Sequence, residues 1–284
     1  MSIQLDKVQP KNKAQLKSLI EYAFNHNIYD LNFIDTSEIT NMSWLFEYIS
    51  CNFDISNWDV SNVTNMSAMF YCCWNFDCDL SNWDVSNVTD MGGMFVGCEN
   101  FNCDLSYWDV SNVTCMEYMF NGCKKFNCDL SYWDVSNVTD MDNMFVNCKK
   151  FNCDLSNWDV SNVTNMSHMF FYCENFDINC FKSWDVSNVE NTSYMFYNCK
   201  NFNCDLSNWD VSNVTNMTSM FAFCNKFDCD LSNWDVSNVT CMYFMFGRCK
   251  QFNCDLSHWN TSKIKNMKCM FKGCNRLTIP NWYK

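Results

Sequence analysis

The stretch Phe76-Asp77-Cys78-Asp79-Leu80-Ser81-Asn82-Trp83-Asp84-Val85-Ser86-Asn87-Val88-Thr89-Asp90-Met91-Gly92-Gly93-Met94-Phe95-Val96-Gly97-Cys98 decides the fold, because most of the chain restates it. Trp58, Trp83, Trp108, Trp133 and Trp158 stand 25 residues apart, Trp184 follows after 26, and Trp209, Trp234 and Trp259 resume the step of 25. A degenerate copy precedes them, with Leu31, Ile34, Thr36, Ile39, Met42 and Phe46 in the matching slots 24 residues ahead of the Trp58 copy, which makes ten repeats. A fixed period of this length is the mark of a solenoid, in which no unit buries its apolar face alone and stacked neighbours build one continuous core.

Within one unit, Leu80-x-x-Trp83-x-Val85 has the L-x-x-L-x-L spacing that sends three side chains inward around a short parallel strand, placed at about Trp83–Val85. Met91, Met94, Phe95 and Cys98 then fall at i, i+3, i+4 and i+7, which predicts one face of a short helix. Thr89 is the N-cap expected for it, and Thr114 with Glu117 three residues on forms a capping box in the next copy. The expected fold is an α/β solenoid: a leucine-rich-repeat-like, right-handed array of about ten 25-residue turns, each a short parallel strand plus a short helix. Residues 1–30 form an N-terminal leader and capping helix, and residues 31–284 the repeat array with a short C-terminal end.

The run M-F-x-x-C-x-x-F followed by D-L-S-N-W-D-V-S-N-V-T, as in Met144 to Phe151 and Asp154 to Thr164, resembles the BspA-like leucine-rich repeats of bacterial surface proteins and mycoplasma-type lipoproteins. The resemblance covers about residues 31–282, and the opening from Val8 to Lys17 is similar to the lysine-rich leader of family members without a secretion signal. It implies a non-enzymatic adhesion or protein-interaction scaffold and carries over no catalytic signature. This chain departs from the family pattern by placing Cys at Cys78, Cys103, Cys128, Cys153, Cys204, Cys229 and Cys254, where polar residues are common.

Composition narrows the partners. The chain has 284 residues, is 48% hydrophobic and carries a formal net charge of −13, so a large core is affordable, while nucleic acid and anionic membranes share its sign and are disfavoured. Only 6 Gly and 2 Pro are present, which leaves the corners to Asn, Asp and Ser. No apolar run of 18 residues and no signal-peptide h-region is seen, so a cytoplasmic location is expected, with surface display by another route left open. Asn-Val-Thr at Asn62, Asn87, Asn112, Asn137, Asn162, Asn213 and Asn238 matches a glycosylation acceptor but recurs because the corner recurs.

Between Asn12 and Asn25, the residues Leu16, Leu19, Ile20, Ala23 and Phe24 form one apolar face of an amphipathic helix, expected to lid the first repeat. The Trp, Phe and Met rows read as core, not as carbohydrate, copper or cofactor sites. Nine of the 22 Cys (Cys73, Cys98, Cys123, Cys148, Cys173, Cys199, Cys224, Cys249, Cys274) lie on the inward face; the Cys78 row is close enough between copies for disulfides, but a reducing compartment predicts free thiols and no zinc spacing is present. No cofactor and no metal site are expected. At the C-terminal end, Leu277, Ile279 and Trp282 begin an eleventh turn in which Pro280 blunts the edge.

One row escapes the core. Asp59, Asp84, Asp109, Asp134, Asp159, Asp185, Asp210 and Asp235 lie between inward Trp and Val and therefore point outward. Each is either turn chemistry repeated by duplication or part of an acidic face for a basic protein segment, and Asp79 and its equivalents add a second row. The alternative function is a cation-binding structural or assembly protein using these stacked carboxylates. Catalysis is disfavoured, since His26, His168 and His258 stand in unrelated settings.

Overall fold

The computed structural model describes residues 7–177 and 181–284. Nine successive parallel bridges run from Asn41↔Asn65 through Asp90↔Cys115 to Cys241↔Asn266, which links ten coils one above another. The period of the sequence is thus the period of a solenoid, and its inward slots are the buried ones: Leu80, Val88, Met91, Met94, Phe95, Cys98 and Phe101 are wholly enclosed.

The expected strand-plus-helix unit is not what makes each coil. Trp83 N–H donates to Leu80 O at 3.1 Å and Val88 N–H to Val85 O at 2.9 Å, so two β-turns flank Asp84 and leave no room for a strand at Trp83–Val85. Main-chain pairing falls instead at Asp90 and its equivalents, as single bridges. The presumed helix is replaced by two turns in tandem: Met94 N–H bonds Met91 O and Cys98 N–H bonds Phe95 O, with Gly93 at φ 63° and Gly97 at φ 72° in the third position of each. Four-residue turns set end to end bring i, i+3, i+4 and i+7 to one side, as a helix would, which is why the apolar spacing alone could not separate the two. With no helix to cap, Thr89 and Thr114 serve the stacking instead: Thr114 Oγ1 donates to Thr89 O, and Thr89 Oγ1 to Thr64 O, at 3.2 Å each.

Two kinds of bond hold neighbouring coils together. On the turn side the links are main-chain, with Met91, Gly93, Phe95 and Gly97 N–H donating to Cys115, Glu117, Met119 and Asn121 O. On the Asp84 side they are side-chain. Trp108 Nε1 donates to Leu80 O at 3.0 Å and Asn112 Nδ2 to Ser86 O at 2.7 Å, so the indole and the amide complete carbonyls that a β-ladder would otherwise have used. Between them the phenylalanines stack along the axis, Phe95 on Phe120 at 5.6 Å and Phe101 on Phe126 at 6.1 Å. Among the described residues each coil bonds to its immediate neighbours.

At the N-terminal end, helix α1 (Lys13–Asn25) begins at Asn12, whose side chain accepts Gln15 N–H. It buries Leu16, Ile20 and Ala23 against the first coil, with Leu19 and Phe24 half-buried beside them. Lys13 Nζ reaches Ser43 Oγ at 2.8 Å, and Val8 pairs in parallel with Ile34. At the other end, Trp282 continues the Trp row: its ring lies 6.4 Å from that of Trp259 and its Nε1 donates to Leu256 O at 2.8 Å.

The irregular copy keeps the register on both sides. Asn179 and Cys180, which break the usual Cys-Asp-Leu run, lie outside the described residues. Beyond them, Phe181 fills the Leu slot, accepting Trp209 Nε1 at 2.9 Å, and Trp184 stacks on Trp158 at 6.5 Å with planes 1° apart. Thr192 replaces a core Met and is buried.

Candidate functional site: the acidic corner face

The outward Asp row is built by turn chemistry. Ser86 N–H donates to Asp84 Oδ1 at 3.1 Å and Ser86 Oγ at 2.6 Å, and the same amide bond holds Asp59, Asp109, Asp134, Asp159, Asp185, Asp210 and Asp235. All eight side chains are exposed. Each carboxylate thus closes an Asx-turn, and the row faces water. Ser hydrogen bonds hold Asp185 and Asp235 below the ordinary carboxylate value.

A second acidic row runs parallel to the first. Asp79, Asp104 and Asp129 accept the N–H of Ser81, Ser106 and Ser131 at 2.9 Å, and those bonds lower their carboxyl pKa values. At a coil spacing of roughly 5 Å, neighbouring carboxylates repel by about 1 kcal/mol in water, a cost that the turn bonds offset.

Two residues that the periodic reading passed over stand between the rows. Tyr107 and Tyr132 occupy the slot before Trp where Asn82 and Asn157 sit in flanking coils, and they are 88% and 80% exposed. Each rides the apex of a turn, Leu105–Trp108 and Leu130–Trp133, which is why the ring projects. A cleft of about 520 Å³ lined by Tyr107, Tyr132, Asp109 and Asp134 opens on one side of them, and one of about 390 Å³ lined by Asp104 and Asp129 on the other. The signal in the sequence was a break in period at one slot in two consecutive copies.

The buried cysteines hydrogen-bond within the core. Cys98 Sγ donates to Phe70 O at 3.0 Å, and burial pushes its thiol well above its ordinary value. In the Cys78 row, Cys103 Sγ accepts Leu80 N–H at 3.0 Å and lies 3.6 Å from Asp79 Oδ1. Burial raises Cys103 and Cys128 to about 12, so neither is a thiolate nucleophile at neutral pH. No disulfide joins Cys78, Cys103, Cys128 and Cys153. Among the described residues no three His, Cys, Asp or Glu side chains converge as a metal site. The Asn side chains of the Asn-Val-Thr corners are engaged too: Asn62, Asn87, Asn137, Asn162, Asn213 and Asn238 donate Nδ2 to a Ser carbonyl one coil back, as Asn112 does.

The three histidines remain apart. His26 caps α1 with Nδ1 2.8 Å from Tyr22 O, His258 takes the Tyr107 slot nearer the C-terminus, and His168 stacks on Tyr194 at 4.8 Å with Nδ1 3.6 Å from Asp142 Oδ1. Among the described residues no helix is long and apolar enough to cross a membrane.

By structure, the chain is similar to a leucine-rich repeat protein from Eubacterium ventriosum ATCC 27560, with 13% identity, coverage of 93% of this chain and 87% of that one, and a TM-score of 0.34. It is also similar to TLR13 in its complex with ssRNA13, with 10% identity, coverage of 97% of this chain and 53% of that one, and a TM-score of 0.22. No curated protein matches by sequence. The family model described as "Mycoplasma protein of unknown function, DUF285" matches residues 14–110, 73–182, 101–204 and 173–282 in overlapping copies that span almost the whole array, and the chain belongs to that family.

Proposed function

We propose that this protein is a non-enzymatic interaction scaffold whose acidic corner face, bearing Asp59, Asp84, Asp109, Asp134, Asp159, Asp185, Asp210 and Asp235, binds a basic segment of another protein. The observation that carries the reading is the row itself: eight exposed carboxylates, each locked by a Ser amide, repeat at one coil spacing on a rigid array. Aligned like charges raise the local potential and speed encounter with an oppositely charged partner. A long shallow face favours several weak contacts over one deep pocket. The BspA-like character of the repeat motif supports the same class of role, adhesion included. A reducing, cytoplasmic setting fits a fold in which Cys98 and Cys103 work as hydrogen-bonding thiols.

The test is the triple variant Asp109→Asn, Asp134→Asn, Asp159→Asn, which keeps an oxygen for each Ser amide while removing three charges. Binding of a fluorescein-labelled, arginine-rich peptide should weaken in the variant and, in the parent, fall steeply with salt, since exposed charges are screened beyond about 8 Å at physiological ionic strength. Equal affinity for parent and variant at low salt would sink the reading.

A further inference from the structure

We infer that Tyr107 and Tyr132 form the anchor of the acidic face, and that they take arginine side chains from an extended peptide laid along the coil axis. The inference rests on the acidic-face reading and adds to it a location and a chemical preference.

The two rings are the most exposed large aromatics among the described residues, at 88% and 80% against 60% for the next, Tyr48. On the turn side, several aromatic side chains pack on one another: Phe171 lies on Tyr197 at 4.9 Å, Trp44 is 5.4 Å from Tyr71, and the Arg248 guanidinium sits 5.5 Å over Phe223. Tyr107 and Tyr132 have no ring partner among the described residues and no core to cover, so their faces are presented to solvent without an internal reason. An aromatic face is a cation acceptor, and Arg is the cation that uses it best, because its planar guanidinium stacks on the ring while its N–H groups remain free for carboxylates. Those carboxylates are in place on both flanks, with Asp109 and Asp134 lining one cleft and Asp104 and Asp129 the other. A guanidinium laid on either ring therefore finds a carboxylate to each side of it, and bidentate pairing favours Arg over Lys. Tyr is also a residue that concentrates binding energy at protein interfaces, since a large rigid surface is fixed at the cost of few torsions. The geometry thus resolves a uniform charged row into a centre, at two adjacent coils, and two flanks that steer.

The experiment uses the intact chain and two fluorescein-labelled peptides of about ten residues, one alternating Arg and Gly and the other Lys and Gly, read by fluorescence anisotropy. The parent should bind the Arg peptide more tightly than the Lys peptide. In the double variant Tyr107→Asn, Tyr132→Asn, affinity for the Arg peptide should drop about tenfold and the preference over Lys should shrink, while the salt dependence persists because no charge has changed. Asn is the residue that other coils already carry at this slot, so the fold is retained, which an unchanged circular dichroism melt verifies. The variant Tyr107→Phe, Tyr132→Phe should bind as the parent does, because the ring face and not the hydroxyl is the acceptor. If the Asn variant binds within about twofold of the parent while the triple Asp variant is weakened, the anchor is overturned and the acidic face stands. If the parent binds neither peptide, both are overturned.

Discussion

Cys103 Sγ accepts the main-chain N–H of Leu80, 23 residues earlier in the chain, at 3.0 Å. The same bond joins Leu105 to Cys128 and Leu130 to Cys153, so a thiol closes a buried amide at each of these interfaces. A buried donor left unpaired costs about 1–3 kcal/mol. Cys103→Ala should therefore destabilise the array by that amount and accelerate hydrogen exchange at the Leu80 amide, whereas Cys103→Ser restores an acceptor and much of the protection. Unchanged exchange at Leu80 in the Ala variant would refute the assignment.

The same thiols dictate an alkaline limit. Burial raises Cys78, Cys153, Cys229 and Cys254 to about 11 and Cys103 and Cys128 to about 12, from 9.0. A folded-state pKa above the unfolded one stabilises fully below the unfolded value, and that contribution is lost as pH climbs through the folded value. Urea midpoints should therefore hold steady below pH 9 and decline between about 9 and 12. Alkylation of native protein at pH 8 should leave these thiols unmodified until denaturant is added.

Backbone strain in the tandem turns gives a pair of opposite predictions. Ser219 sits at φ 53°, in the left-handed region that costs a side-chain-bearing residue about 1 kcal/mol, so Ser219→Gly should be neutral to stabilising once the entropy of glycine is counted. At Gly122, with φ 82°, an added Cβ would meet Gly97 Cα at 3.3 Å and Gly97 N at 3.4 Å. Because that neighbour is main chain and cannot rotate aside, Gly122→Ala should lower the melting temperature. The two melts, taken side by side, check both signs.

The N-terminal lid offers a graded test. Ile20 is buried in the interface between α1 and the first coil, while Leu19 is only half-buried. Ile20→Ala should cost about 2–5 kcal/mol and promote self-association by baring the first coil, and Leu19→Ala should cost less. Size-exclusion profiles and melts that rank the two variants in the reverse order would remove α1 from the capping role we propose for residues 1–30.

Which parts of this were legible beforehand follows from what each signal measures. The Trp83, Met91, Phe95 and Cys98 spacings report only which side chains point inward, and those slots are the buried ones through the array, with Ile264 and Met267 of the last coil only partly covered. They do not report backbone conformation, so tandem turns passed for a helix. The slots between carry Gly or Asn in some copies, as at Gly93, Gly97, Asn143 and Asn147, but Ala68, Tyr118, Tyr172 and Phe223 take positive φ at the same slots, so residue type there is a weak discriminator. A strand was placed around Asp84 because leucine-rich spacing implies one, but Ser86 and Asn87 turn the chain too soon, and the interface there is made by Trp and Asn side chains instead. The Asp row follows from alternation; Tyr107 and Tyr132 are hidden from a reading by period, which averages over copies and loses a residue that differs in only two of them.

That each coil, among the described residues, engages the coils beside it through closely similar bonds makes coil number a heritable variable separate from foldability. Excising residues 109–133 would join Trp108 to Asp134 and recreate a Trp-Asp-Val corner that the neighbouring coils already recognise. A lineage can thus shorten or extend such a chain by recombination between copies, and the proposed acidic face would lengthen or shorten with it.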